Sequence, residues 1–246
     1  MGHLIKRISD ISVSIMSWFI IIFLTVIFAI IAVFVSFADN AGNTQKIAKL
    51  WGQTIIRLLN INVSVSGLEN IDPSKSYLIV SNHQSYFDIF ILLAFINLNF
   101  KFIAKASLFK IPFLGWSMKR LGYIPINKKS LKSALKTVKN VKSILKTSKD
   151  WSILIFPEGT RTKNGKLSNF KKGGLNKMIM NSDYILPVAI NGTYNILKKG
   201  SIMIHPKNPV KLIILNQMNM SDTQKMKSDG TFIRNIEKRI GEAIQK

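Results

Sequence analysis

From Ile11 to Ala38 the chain carries no charged side chain, and this run, ISVSIMSWFIIIFLTVIFAIIAVFVSFA, exceeds the roughly 20 residues a helix needs to cross a bilayer. The pattern predicts a membrane segment, since the apolar core of a cleaved signal peptide is only about 7–15 residues long. Lys6 and Arg7 precede the run and Lys46, Lys49 and Arg57 follow it, so flanking charge selects no orientation. One tilted span and two short helices dipping into a single leaflet both fit. Asp39 to Asn43 then reads as a polar turn. Thr44 to Leu59 reads as an amphipathic helix near the membrane interface, with Ile47, Leu50, Trp51, Ile55 and Leu58 on its apolar side.

Beyond this helix the period changes. Val63-Ser64-Val65 alternates like a strand, Pro73 breaks the chain, and Tyr77 to Val80 is a short apolar strand. Trp151 to Phe156 and Ile185 to Ile190 are further buried strands, separated by a helix expected from Gly174 to Met180. Ile202 to His205 and Val210 to Leu215 read as strands and Phe232 to Ile244 as a closing helix. Apolar strands alternating with helices predict an α/β fold: a central mixed, mostly parallel sheet flanked by helices, with an N-terminal helical membrane-binding segment. The expected division is residues 1–62 for the membrane-associated part and 63–246 for the catalytic domain.

Between the second and third of these units lies KKSLKSALKTVKNVKSILKTSK, Lys128 to Lys149. It reads as a helix with Leu131, Leu135, Val138 and Leu145 on one face and Lys132, Lys136, Lys139, Lys142, Lys146 and Lys149 on another. No acid in the segment relieves the repulsion between lysines three or four apart. The lysine row is either a solvated face or a docking surface for an anionic membrane or an acidic carrier protein.

With 246 residues and 47% hydrophobic content, the chain can bury a sizeable core. Its net charge of +23, from 35 basic and 12 acidic residues, attracts polyanions, although free use of Lys, Asn and Ile accounts for part of it. There is no cysteine, which excludes disulfides, thiolate metal sites and a cysteine nucleophile. His3, His83 and His205 are scattered, so no metal site is expected.

One of the three histidines stands in SNHQSYFD, Ser81 to Asp88, where a strand passes into a helix. On a continuous helix, positions five apart point about 140° away from each other. In a loop that turns into a helix at Asp88, the carboxylate can instead fold back and hold one imidazole nitrogen as a donor. The other nitrogen is then a base. No protein nucleophile accompanies the pair, which suits a base acting on a hydroxyl of the substrate itself. The bland alternative is that Asp88 or Ser85 only caps the helix. A second stretch, Phe156-Pro157-Glu158-Gly159-Thr160-Arg161, follows another buried strand; its Pro and Gly suit a turn, and Arg161 adds a fork of donors suited to phosphate.

Together these stretches resemble the glycerolipid acyltransferase family, most closely its bacterial 1-acylglycerol-3-phosphate acyltransferases. Asn82-His83-Gln84-Ser85-Tyr86-Phe87-Asp88 matches the first family block, Phe156 to Arg161 the third and Leu186-Pro187-Val188-Ala189 the fourth. Phe102 to Leu108, Pro112 to Gly115 and Phe170 to Gly174 are also similar to the family. In the second block, Gly122-Tyr123-Ile124-Pro125-Ile126 is followed by Asn127-Lys128 where an Asp-Arg pair is usual, so charge is kept but the bidentate fork is lost.

The resemblance implies acyl transfer from acyl-carrier protein or a CoA thioester to the sn-2 hydroxyl of lysophosphatidic acid, giving phosphatidic acid. It assigns His83 as base and Asp88 as its orienter, with substrate contacts from Lys105, Lys128, Glu158, Gly159, Thr160 and Arg161, and neither metal nor cofactor. It also implies residence at the bacterial inner membrane, the catalytic domain on the cytoplasmic face against an anionic surface, and no nucleic-acid partner. Glycerol-3-phosphate or lyso-ornithine lipid is the rival acceptor. A non-catalytic basic protein that binds membrane or nucleic acid has no use for His83 with Asp88.

Overall fold

The computed structural model describes residues 2–38, 42–127, 130–147, 151–220 and 231–245. The uncharged N-terminal run lies within one continuous helix, α1 (Gly2–Ala38), followed by α2 (Gly42–Leu58). Along α1 the buried side chains are Ser14, Ser17, Ile21, Ala29 and Ala32, which fall on one helical stripe. All but Ile21 are small or polar, and the hydroxyls of Ser14 and Ser17 donate back to carbonyls one turn earlier. Ile15, Phe19, Ile22, Phe23 and Phe34 face outward.

The strands are β1 (Val63–Ser66), β2 (Tyr77–Ser81), β3 (Phe100–Lys105), β4 (Ile124–Ile126), β5 (Ser152–Ile155), β6 (Tyr184–Asn191), β7 (Val210–Ile214) and β8 (Met218–Asn219). They form one sheet in the order β1-β7-β6-β2-β5-β3-β4, with β8 also beside β6. Pairings are parallel except those of β7 and β8 with β6. Every residue of β2 is buried, as expected for a strand covered on both faces. This is the mixed, mostly parallel sheet that the sequence predicts.

The helices between the strands are α3 (Phe87–Phe95), α4 (Leu114–Arg120), α5 (Leu131–Thr147), α6 (Lys172–Ile179) and α7 (Thr193–Ile196), and α8 (Thr231–Gln245) follows the last strand. From β2 through α3 to β3, and on through α4 to β4, the chain moves in one direction across the sheet. From β4 through α5 to β5, and through α6 to β6, it moves back. Right-handed crossovers therefore put α3 and α4 on one face and α5 and α6 on the other. Two core clusters reflect this: Ile21, Ile55, Phe90, Ile79 and Leu154 pack together, as do Val80, Val141, Leu175, Ile153 and Ile236. Helices α1 and α2 belong to the first side. A Cβ added at Gly52 of α2 would come within 2.6 Å of the Phe90 carbonyl oxygen, so α2 lies hard against α3.

Pro187 stands in the middle of β6, where a proline would ordinarily break the ladder. Its carbonyl accepts from Leu215 N–H, so the side of the strand that lacks an N–H faces the passage from β7, whose last pair is Val188↔Ile214, to β8, whose first is Ile185↔Met218. No ladder bond to β2 is lost.

Three expectations need correction. Ile202 to His205 is not a strand: Ile204 N–H donates to Ser14 Oγ, Trp18 Nε1–H donates to the Ile202 carbonyl, and His205 N–H donates to the Ile196 carbonyl, so α1 and the end of α7 take the bonds a neighbouring strand would have made. Strands β3 and β4 were not foreseen, because FKFIAK alternates with basic residues and IPI is very short. The buried side of α5 is centred on Thr137 and Val141; of the apolar face read from the sequence, Val138 and Leu145 pack partly buried against the core while Leu135 is 43% exposed. Lys149 lies outside the described residues.

Candidate active site

Parallel strands end their carboxyl edges together, and loops there meet over the sheet. On this edge β2 runs into His83, β5 into Phe156 to Arg161, β6 into Gly192 and Thr193, and β3 ends at the exposed Lys105. Two strand spacings, about 10 Å, separate β3 from β2. Lys128 falls outside the described residues.

His83 Nδ1 lies 2.7 Å from Asp88 Oδ2, and the Asp88 side chain is fully buried. The same oxygen accepts the backbone N–H of Gln84 at 2.7 Å and of Ser85 at 2.9 Å, and Oδ1 accepts the Thr193 hydroxyl. An acceptor of this many donors is a carboxylate. It therefore holds Nδ1–H as donor and leaves Nε2 as the basic nitrogen. Neither Asp88 nor Ser85 caps α3, whose cap residue is Tyr86 with no side-chain cap bond: the Asp88 carboxylate folds the loop before the helix and contacts the imidazole, and Ser85 Oγ donates to the Leu197 carbonyl. Phe156 stacks on that ring, centroids 4.0 Å apart and planes 13° from parallel.

Glu158 is placed differently from the expectation of a substrate contact. It is only 3% exposed, and its two oxygens accept the backbone N–H of His83 at 2.7 Å and of Ser168 at 2.9 Å. Thr162 N–H donates to the His83 carbonyl, so the loop after β5 grips the His83 backbone from both sides. Burial raises the Glu158 carboxyl above its ordinary value of 4.5, against the lowering effect of those N–H groups.

A raised carboxyl contributes its full stability below the ordinary value and loses it as pH rises through the raised one. Glu158→Gln sets an amide NH2 against a backbone N–H. The variant is expected to lose about 1–3 kcal/mol of stability and to flatten the pH dependence above 4.5, as read by urea titration across pH.

Around this turn the cations gather. Gly159 has φ +71, the left-handed region that favours glycine, and a Cβ there would touch the Lys171 side chain at 3.3 Å. Lys199 Nζ donates to Thr160 Oγ1 at 2.8 Å, and Thr160 itself is exposed. The Arg161 guanidinium lies 3.7 Å from the centre of the Tyr86 ring, which ties it to the His83 loop. Arg161 pairs with no carboxylate among the described residues.

Sequence reasoning missed the second layer. Asn82 exchanges two hydrogen bonds with Ile190, both 2.8 Å; Gln84 Oε1 accepts Gly192 N–H, and Ser85 Oγ donates to the Leu197 carbonyl. Thr193, Lys171 and Lys199 were also not singled out. The available signal was Asn191-Gly192-Thr193, a polar strand-to-helix connection of the same kind as the two that were noticed.

Residues 62–191 match the acyltransferase family model. The chloroplastic 1-acyl-sn-glycerol-3-phosphate acyltransferase LPAT1 of Arabidopsis thaliana is 37% identical over 169 residues, covering 68% of this chain and 46% of that protein. The 1-acyl-sn-glycerol-3-phosphate acyltransferase of Borreliella burgdorferi is 35% identical over 145 residues, 59% of this chain and 57% of that one. The chain thus spans about half the length of the curated relatives it matches. The crystal structure of the 1-acyl-sn-glycerophosphate (LPA) acyltransferase PlsC from Thermotoga maritima superposes with a TM-score of 0.83 at 26% identity, covering 98% of this chain and 96% of that one.

Proposed function

The chain belongs to the acyltransferase family, and from that membership we propose that it moves a fatty acyl group from acyl-carrier protein or acyl-CoA to the sn-2 hydroxyl of lysophosphatidic acid, giving phosphatidic acid. The observation that carries the reading is the 2.7 Å contact between His83 Nδ1 and the buried Asp88, with no protein nucleophile required. His83 Nε2 takes the proton of the acceptor hydroxyl as its oxygen attacks the thioester carbonyl. The tetrahedral oxyanion collapses, the C–S bond breaks, and the departing thiolate recovers the proton from Nε2. Asp88 stabilises the transient imidazolium, and the face of Phe156 adds a cation–π contribution.

Phosphate of the acceptor lies against Lys105, Arg161 and the Glu158-Gly159-Thr160 turn, with Lys171 and Lys199 alongside. Glu158 serves there as a support for His83. Purified protein given a panel of lyso-lipid acceptors and both thioester donors, read by product mass, tests the assignment: lysophosphatidic acid is the expected acceptor, and preference for a phosphate-free lyso-lipid overturns it. Arg161→Lys keeps the charge but loses the fork. It is expected to raise the acceptor KM about tenfold, the worth of one hydrogen bond to a charged group, and to leave the donor KM nearly alone. An equal rise in both constants removes Arg161 from phosphate binding.

Residues 1–62 form the membrane-associated part in this reading and 63–246 the catalytic domain. By length and composition α1 can cross a membrane. It nevertheless touches the rest of the protein from Ser14, bonded to Ile204, to Phe37, whose ring lies 4.2 Å from the Arg120 guanidinium. That contact length, about 35 Å at 1.5 Å per residue, leaves no free span as thick as a hydrocarbon core of about 30 Å. The helix therefore lies in the plane of one leaflet with its outward face in lipid. Single cysteines at Ser9 and Lys46, in a chain that has none, are expected to react with a membrane-impermeant thiol reagent from the same side. Labelling from opposite sides means a spanning helix.

A further inference from the structure

The outward row of α5 has a definite place in this fold. Lys136, Lys139, Lys142 and Lys146 are exposed within a third of the helix circumference. The apolar Leu135 falls among them, which is why it lies 43% exposed and outside the core. Lys172 and Lys177 of α6, which packs beside α5, are exposed as well. Between Lys128 and Lys149 the sequence has no acid. Helix α5 sits on the opposite face of the sheet from α3 and α4, and α1 packs on α2 and α4. A bilayer that receives the outward face of α1 thus approaches from the far side of the sheet, and the lysine row points into water.

We propose that this row, with Leu135 as its apolar anchor, docks a soluble acidic protein that brings the acyl thioester. Charge complementarity selects the partner, since four ammonium groups with nothing acidic between them match a carboxylate-rich helix and speed its encounter. An exposed leucine inside the ring of charge gives the desolvated centre that a protein interface needs. Position suits delivery: α5 leaves the sheet directly after β4, on the carboxyl edge where β2 delivers His83. The inference rests on the acyl-transfer reading for the identity of the cargo.

The test compares the parent with a fourfold variant, Lys136→Gln, Lys139→Gln, Lys142→Gln and Lys146→Gln, and with Leu135→Ser alone. Turnover with acyl-CoA and lysophosphatidic acid verifies that each variant is folded and active. The expected result is a rise of about tenfold or more in KM for acyl-carrier protein, with kcat and the acyl-CoA constants nearly unchanged. For the parent, the advantage of the carrier should fade as salt shortens the Debye length from about 8 Å at 0.15 M to about 3 Å at 1 M. Cosedimentation with vesicles of equal phosphatidylglycerol and phosphatidylcholine is expected to match the parent.

Loss of vesicle binding with an unchanged carrier KM would overturn the proposal in favour of a membrane-facing row. No change in either makes the row a solvated helix face, which also overturns it. Binding of apo acyl-carrier protein to an immobilised parent and fourfold variant needs no turnover, so a parent inactive on lysophosphatidic acid defeats the functional reading while the surface is still judged on its own.

Discussion

Purified His83→Ala is expected to fold like the parent and to lose acyl transfer by about 10²–10⁴-fold, the usual contribution of a positioned general base. The fold survives because the ring is partly exposed and the backbone at this position is held by Glu158 and Thr162, neither of which bonds the imidazole. Asp88 loses one of its donors but keeps the N–H groups of Gln84 and Ser85 and the Thr193 hydroxyl. Circular dichroism and urea titration alongside single-turnover acyl transfer separate the two effects. A folded variant that turns over within about threefold of the parent defeats the role of His83, because no base would account for so small a loss.

Asp88→Asn is expected to lower kcat by about 10²-fold or more with little change in either KM. The substitution is informative because the site can accept its shape. The amide oxygen takes the place of Oδ2, where three donors converge, and the amide NH2 faces the Thr193 hydroxyl, which can accept and turn its own hydrogen toward Gln84 Oε1, 3.3 Å away. Geometry and tautomer are then retained and only the negative charge is removed. What disappears is the stabilisation of the imidazolium in a buried, weakly screened setting. If instead Asp88→Asn unfolds the loop, stability falls together with activity, and Thr193→Val should reproduce part of the effect through Oδ1 alone. A fully active Asp88→Asn variant would leave the carboxylate as a loop former without a part in proton transfer.

The parts of this fold that could be read in advance were those with strong local signals. Long apolar runs gave α1 and the buried strands β2, β5 and β6, and the His83 to Asp88 spacing gave the pair at the site. What escaped depends on partners distant in the chain. Segment 202–205 looks like a strand by composition, yet its polar groups are met by serine and tryptophan side chains of α1. Glu158 looks like a loop acid available to substrate, yet one of its oxygens accepts the His83 N–H beyond β2 and the other the Ser168 N–H of its own loop. A helical wheel puts Leu135 on one face with Val138 and Leu145, whereas only the packing of α5 on α6 and the sheet decides which side is inward.

The bonds between Ser14 and Ile204 join residues 190 positions apart. During synthesis at roughly 5–20 residues per second, about 10–40 s pass between the emergence of the first partner and that of the second. Through that interval α1 is complete but the segment that clips its polar stripe does not yet exist, so lipid or a chaperone is the surface open to its apolar face. In the proposed seating of α1 in one leaflet, attachment to the bilayer comes early in the life of the molecule, and the carboxyl edge that carries His83 is assembled beside a helix already in position. Closing so long a loop is a late step with a high entropic cost. A nascent chain halted before residue 202 would hold α1 with Ser14 and Trp18 unmet by the segment that bonds them in the folded protein.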